Sequence, residues 1–172
     1  MDRVRIEAIG PEDWERYRTI RLEALRTDPD AFGSTFQREE SRSEHDWRTR
    51  LEASDARTFV AIDAADSSFV GLVTCAPYAG HARHVGLFSM WVSPSIRGHG
   101  VGKALVRELI AWARTLPGID GILLEVADEN LAAVKLYESM GFVPNGIRGS
   151  LPPPREHVLE HQRVHTFAKA SE

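Results

Sequence analysis

Cysteine is nearly missing: Cys75 is the only one among the chain's 172 residues. An internal disulfide and a cysteine-based metal cluster are both excluded by that count. The chain suits a reducing compartment. Cys75 lies in "GLVTCAPY", a β-rich run, and reads as a buried inert thiol rather than a nucleophile. Long apolar runs are lacking too, and no stretch reaches the roughly 18 residues of a membrane span. The first ten residues, "MDRVRIEAIG", are charged throughout and carry no apolar signal-peptide core. The expected address is the cytoplasm. Neither sign of charge dominates, with 21 Lys and Arg against 25 Asp and Glu for a net −4. Such a balance gives no reason to expect a nucleic-acid or anionic-membrane partner. Repeats, linkers and low-complexity tracts are absent, so residues 1–172 read as a single domain.

What is there is an alternation of strand and helix patterns. "RVRIEAIG" alternates with period two. Pro11 then opens a helix on which Trp14, Tyr17, Arg18, Arg21, Leu22 and Leu25 share a stripe, with Glu12 and Asp13 at its positive end. A shorter helix is expected over residues 43–54, capped by Ser43. "RTFVAID", "SSFVGLVTCAPY" and "HVGLFSMWVS" predict three strands in an antiparallel meander. On the third, simple alternation sends Phe88 and Met90 to one face and Ser89 and Trp91 to the other. Val101, Leu105, Leu109, Trp112 and Leu116 repeat at helical spacing, opposite Lys103, Arg107 and Arg114. "GILLEVA" is a strand, "NLAAVKLYESMG" a helix closed by Gly141, and the remainder two strands around "LPPPRE". The order β-α-α-β-β-β-α-β-α-β-β describes a mixed α/β protein with one sheet and helices packed on it.

The densest signal is "SPSIRGHGVGKAL", where Gly98, Gly100 and Gly102 alternate as a strand gives way to a helix. The first turn of a helix leaves N–H groups unpaired and carries positive potential. Residues without Cβ let phosphate oxygens approach those donors and permit positive φ. Arg97 and Lys103 add charge, and a diphosphate is the natural guest. The nucleoside-triphosphate P-loop needs G-x-x-x-x-G-K-[ST], but Ala104 follows Lys103 and Arg97 stands at the first glycine position. The dinucleotide fingerprint G-x-G-x-x-G fails as well, at Lys103.

The stretch fits R-x-x-G-x-G through Arg97, Gly100 and Gly102, and "NLAAVKLYESMGF" fits N-x-x-A-x-x-L-Y-x-x-x-G-F through Asn130, Ala133, Leu136, Tyr137, Gly141 and Phe142. In these two segments the sequence resembles the GNAT superfamily of N-acetyltransferases, most firmly over residues 85–143. The resemblance implies a mostly antiparallel sheet whose fourth and fifth strands splay apart to admit acetyl-CoA as co-substrate, with no metal. The pyrophosphate would rest on backbone N–H groups of residues 98–103, which include His99 and Val101. The pantetheine arm would run beside Met90, Trp91 and Val92. Asn130 and Tyr137, seven residues apart, lie nearly on one helix face about 10 Å apart. By resemblance Asn130 binds the cofactor arm and Tyr137 serves as general acid toward the thiolate.

Glu125, in "LLEVADEN", is the candidate general base by similarity to an L-E-V segment in family members that acetylate a ribosomal protein's N-terminus. A carboxylate on the solvent side of the strand, or a water relayed by Ser89 or backbone carbonyls, stands beside it. His157, His161 and His165 recur every four residues, but on a strand they sit about 13 Å apart, too far for one ion. "LPPPRE" is either a border of the acceptor site or a stiff surface connection. The implied activity is acetyl transfer to a primary amine of unspecified identity. Use of another acyl-CoA, or a non-catalytic acyl-CoA-sensing module, stands as the alternative. A homodimer formed through sheet edges or helix faces is compatible with the sequence.

Overall fold

β-Branched and aromatic runs that alternate in burial build the sheet, and helices cover it where both faces of a strand are apolar. The computed structural model describes residues 3–168. The strands are β1 (Val4–Ala8), β2 (Arg57–Asp63), β3 (Phe69–Pro77), β4 (His84–Val92), β5 (Gly121–Ala127), β6 (Val143–Ser150) and β7 (Leu159–Thr166). The helices are α1 (Trp14–Thr27), α2 (Phe36–Glu40), α3 (Glu44–Glu52), α4 (Val101–Ala113) and α5 (Leu131–Ser139). One seven-stranded sheet results, ordered β1-β2-β3-β4-β5-β7-β6. Every neighbouring pair is antiparallel except β4 with β5. The sequence-predicted order holds, with α2 as an addition.

Two apolar clusters sandwich the centre of the sheet. Phe59 and Ala61 of β2 face α4 with Val73, Leu105, Leu109, Ile122 and Leu124. The intervening Val60 and Ile62 face α1 and α3 with Ile20, Leu25, Trp47 and Trp91. Apolar side chains on both faces explain why β2 lacks a polar alternation. The helix after the glycines is shorter than its sequence pattern: it ends at Ala113, and Leu116 falls in the following turn, only partly buried. Ser43 caps α3 as expected, its hydroxyl accepting from Asp46 N–H at 3.2 Å.

The segment between α1 and α3 has no apolar period, so the five-residue α2 was not predicted. Its role is to carry Glu39 into the interior, where the residue is 0% exposed. Arg21 Nη2 donates to Oε1 of Glu39 at 2.9 Å, Arg21 Nε to Oε2 at 3.1 Å, and Arg50 Nη1 to Oε2 at 3.0 Å. Arg21 Nη1 also donates to Ser89 Oγ at 3.1 Å. Ser89 sits at φ 58°, in the left-handed region. The register explains that conformation: Leu72 faces Trp91 and Thr74 faces Phe88, leaving both Ser89 and Met90 opposite Val73. This β-bulge resets the parity of β4. Simple alternation is corrected at Phe88 alone: Met90 packs with Leu87 on the α4 side and Ser89 and Trp91 lie on the α1 side as expected, but Phe88 leaves Met90's face and stacks on Tyr78.

Burial alone would raise the pKa of Glu39, but hydrogen bonds and charge from Arg21 and Arg50 outweigh it and bring it down to about 2. A lowered carboxylate pKa stabilises the fold above the ordinary value, and that contribution fades as pH falls toward the folded value. Glu39→Gln leaves two guanidinium groups against a neutral amide and should lower unfolding stability by about 3–5 kcal/mol. Urea titrations at pH 7 check the loss, and the gap to the unsubstituted protein should close between pH 4.5 and about 2.

Candidate active site

Parallel pairing of β4 and β5 covers three residue pairs: His84 with Gly121, Val85 with Ile122 and Gly86 with Leu123. Beyond Gly86 the strands part. β5 stays paired with β7 along its full length, so β4 diverges at its bulge. The resulting cleft leaves Met90, Trp91 and Val92 of β4 without a β5 partner. The loop from Ser93 to Gly100 continues from the end of β4 into the N-terminus of α4.

The three glycines answer two different demands. Gly98 and Gly100 each adopt φ of 80°, and Gly100 is the N-cap of α4. A Cβ at either position would project into open space with no atom within 4 Å, leaving a cradle beside the helix end. Ala104 N–H makes a bond to Gly100 O at 3.1 Å, so the donors of Val101, Gly102 and Lys103 precede the helical ladder. Gly102 instead allows close packing: a Cβ there would lie 3.1 Å from Leu136 Cδ2 and 3.2 Å from Met90 Cε. α4, α5 and the β4 bulge therefore converge at that residue.

Arg97 braces the loop. Its Nε donates to Val92 O at 2.8 Å and its Nη2 to Asp28 Oδ2 at 2.6 Å. Asp28 also accepts from Trp91 Nε1 at 2.7 Å, tying the end of α1 to this loop. Lys103 is exposed, and His99 Nδ1 lies 2.9 Å from Arg97 O. Val101 is buried in the core. Asn130 caps α5, its Oδ1 accepting from Ala133 N–H at 3.2 Å, which leaves its amide N–H groups as donors.

Tyr137 packs edge-on to Phe142 at 5.8 Å between ring centres and is 5% exposed. Burial raises its pKa, so the phenol keeps its proton at neutral pH. Glu125 lies on the other face of the sheet, because Ile122, Leu124 and Val126 point into the α4 cluster. Its Oε1 accepts from the Tyr78 hydroxyl and, at 3.0 Å, from Gln162 Nε2. Burial, then the Glu125 charge, raises the pKa of nearby Glu160. Sequence reasoning missed Asp28, Tyr78 and Gln162, which reach the site through register and tertiary packing rather than through any local motif.

Cys75 is wholly buried, and burial pushes its thiol up to about 12. His161 pairs with Asp128 at 2.7 Å, and His165 Nδ1 donates to Met140 O at 2.9 Å. The "LPPPRE" segment is pinned to the chain after α1: Arg155 Nη1 donates to Pro29 O and Phe32 O, and its Nη2 to Gly33 O and Ser34 O. A cavity of about 120 Å³ lies at the α4 N-terminus, lined by Val4 and Ile6 together with His99, Gly100 and Val101. Among the described residues no helix is long and apolar enough to cross a membrane.

A splayed parallel pair ending at a glycine-capped helix defines an acyltransferase-type fold. The profile of the acetyltransferase (GNAT) family matches residues 14–142, and the chain belongs to that family. It is 41% identical over 63 residues to mycothiol acetyltransferase of Salinispora tropica, covering 37% of this chain and 20% of that protein. It is 33% identical over 100 residues to streptothricin acetyltransferase of Streptomyces lavendulae, covering 58% of this chain and 51% of that protein. The chain thus spans about half the length or less of these curated relatives. Among solved structures, a GNAT-family acetyltransferase of Streptococcus pneumoniae superposes with TM-score 0.79 at 18% identity, covering 95% of this chain and 99% of the other. Spermidine N-acetyltransferase of Vibrio cholerae, in complex with CoA and spermine, gives TM-score 0.75 at 19% identity, with 96% of each chain covered.

The convergence at Gly102 is open to direct test. Gly102→Val should push Leu136 and Met90 from their places and reduce stability by about 1–3 kcal/mol, read from urea titrations.

Proposed function

We propose that this protein is an N-acetyltransferase that passes the acetyl group of acetyl-CoA to a primary amine by direct attack in a ternary complex. The observation that carries this is the cleft: β4 and β5 separate after three pairs, and their gap ends at helix-terminal N–H donors beside two side-chain-free positions. The residues fit the donor. The N–H groups of residues 98–103 would hold the diphosphate. The backbone beside Met90, Trp91 and Val92 would hold the extended arm, and Asn130 would donate its amide N–H groups to that arm. Lys103 is exposed beside the helix-terminal donors, whereas Arg97, next to Gly98, is tied to Val92 O and Asp28.

Acetyl-CoA supplies a thioester with a fair leaving group, since a thiol has a pKa near 8.5. Tyr137, kept protonated by burial, would hold its proton for the departing sulfur. An attacking amine must be neutral. For a lysine-like amine of pKa about 10.4, deprotonation at pH 7 costs roughly 4–5 kcal/mol, against about 1 for an α-amine. Glu125 would take that proton, freeing the nitrogen lone pair to bond to carbon as the C–S bond breaks. The two groups would approach the cleft from opposite faces of the sheet. A cytosolic setting suits the single buried thiol.

Thiol release from acetyl-CoA, measured against a panel of amines, tests the activity. Coenzyme binding without release for any amine would favour the sensing module, and faster release from a longer acyl-CoA would change the donor. Gly100→Val places a β-branched residue at positive φ and fills the cradle, so coenzyme A affinity by calorimetry should fall at least about tenfold. Tyr137→Phe should lower kcat by about tenfold or more while KM for acetyl-CoA stays nearly constant.

A further inference from the structure

The two hydrogen bonds to Glu125 converge on one oxygen. The Tyr78 hydroxyl and Gln162 Nε2 both donate to Oε1, and Gln162 Nε2 also donates to Tyr78 Oη at 2.9 Å, closing a three-membered ring of contacts. The amide orientation of Gln162 is set from its far side, where Oε1 accepts from Asn145 Nδ2 at 2.6 Å. Turning that amide over would put donor against donor. Gln162 is 4% exposed, and it stands directly across from Glu125 in the β5–β7 register.

Tyr78 is held as firmly. Its ring stacks on Phe88 with 6.1 Å between centres and 13° between planes, and meets the His81 ring at 5.2 Å. Both rings use space left by Gly86, where a Cβ would lie 2.3 Å from Phe88 Cε2 and 3.0 Å from Tyr78 Cδ2. The Tyr78 pKa is pushed up to about 12, by burial first and the Glu125 carboxylate second, so the phenol keeps its proton and acts as donor. Glu160 and Asp128 are the like charges of this neighbourhood, with Arg155 opposing them at Glu160.

We propose that Tyr78 and Gln162 are positioning residues that clamp Oε1 of Glu125, so that Oε2 is the oxygen presented to the acceptor amine. The clamp rests on the assignment of Glu125 as the base. A glutamate at a strand surface samples several rotamers, and only some align an oxygen with an approaching N–H. Two donors on one oxygen select an orientation before the acceptor arrives, and they leave the second oxygen to receive the proton. Neither clamp residue touches the reacting atoms in this arrangement. Four segments contribute to the clamp: the end of β3, then β5, β7 and β6.

The test is a double-mutant cycle on the full chain. Tyr78→Phe and Gln162→Met are each made alone and together with Glu125→Gln. Rates of thiol release are measured with acetyl-CoA and the fastest acceptor among spermidine, N-α-acetyl-lysine and an unblocked peptide. Each clamp variant alone should lower kcat by about tenfold, with KM for acetyl-CoA and calorimetric coenzyme A affinity unchanged within about twofold. In the Glu125→Gln background the same substitution should change kcat by less than about twofold. Equal losses in both backgrounds, or no loss in the first, would overturn the clamp while leaving the acetyltransferase activity standing. A Glu125→Gln variant as fast as the unsubstituted chain would remove the base on which the clamp depends. Absence of thiol release by the unsubstituted chain with every amine would overturn the activity itself.

Discussion

Two neighbouring strands that begin as a parallel pair and then separate govern this molecule. A sheet normally satisfies each strand's peptide groups on both sides, and leaving a buried row unpaired is expensive. β4 meets that cost only beyond Gly86, where the β5 side of the strand lacks a sheet partner. The separation is enforced from both directions. β5 is committed to β7 through seven consecutive residue pairs. β4 is bent by the extra residue opposite Val73, with Ser89 held at positive φ by a hydrogen bond from Arg21. That guanidinium is in turn fixed by Glu39, so a buried ion pair under α1 and α2 supports a backbone distortion on the sheet. An extended ligand arm that pairs like a strand can satisfy what the missing neighbour leaves open.

The helical side of the cleft shows how small residues can do unlike work within five positions. Gly98 and Gly100 turn the chain through left-handed conformations and keep the space before α4 clear. Gly102, already helical, lets Leu136 and Met90 approach the α4 backbone. Loss of side chains at the first pair opens a site, and loss at the third closes the packing beneath it. Arg97 belongs with the second kind of work. Its bonds to Val92 O and Asp28 hold the loop between β4 and α4, so its charge is shared with the protein before any anion arrives.

Much of this was legible in the sequence because it is local. The meander, the long helix after the glycines and the stop of α5 at Gly141, which adopts φ 83°, each follow from periodicity or from a residue within a few positions. The two segments around Arg97 and Tyr137 carried the family resemblance for the same reason. What escaped depends on register. A bulge at Ser89 has no signature in "LFSMWV", since its cause lies 68 residues away at Arg21. α2 has five residues and no apolar stripe, so only the buried Glu39 explains its existence. Tyr78 and Gln162 stand 84 residues apart and meet only because β3, β5 and β7 converge on one surface.

The position of the two titratable groups follows from the same separation. Successive β5 side chains alternate between faces, so Glu125 must leave the sheet opposite Leu124 and Val126, away from α4 and α5. Tyr137 belongs to α5 and enters from the covered face, where burial keeps it protonated. In an intact sheet such groups would be insulated from one another by a layer of paired backbone. Opening the sheet between β4 and β5 removes that layer at one place. In the proposed mechanism Glu125, outside the α4 face, and Tyr137, buried beneath it, would then address the same gap from its two sides.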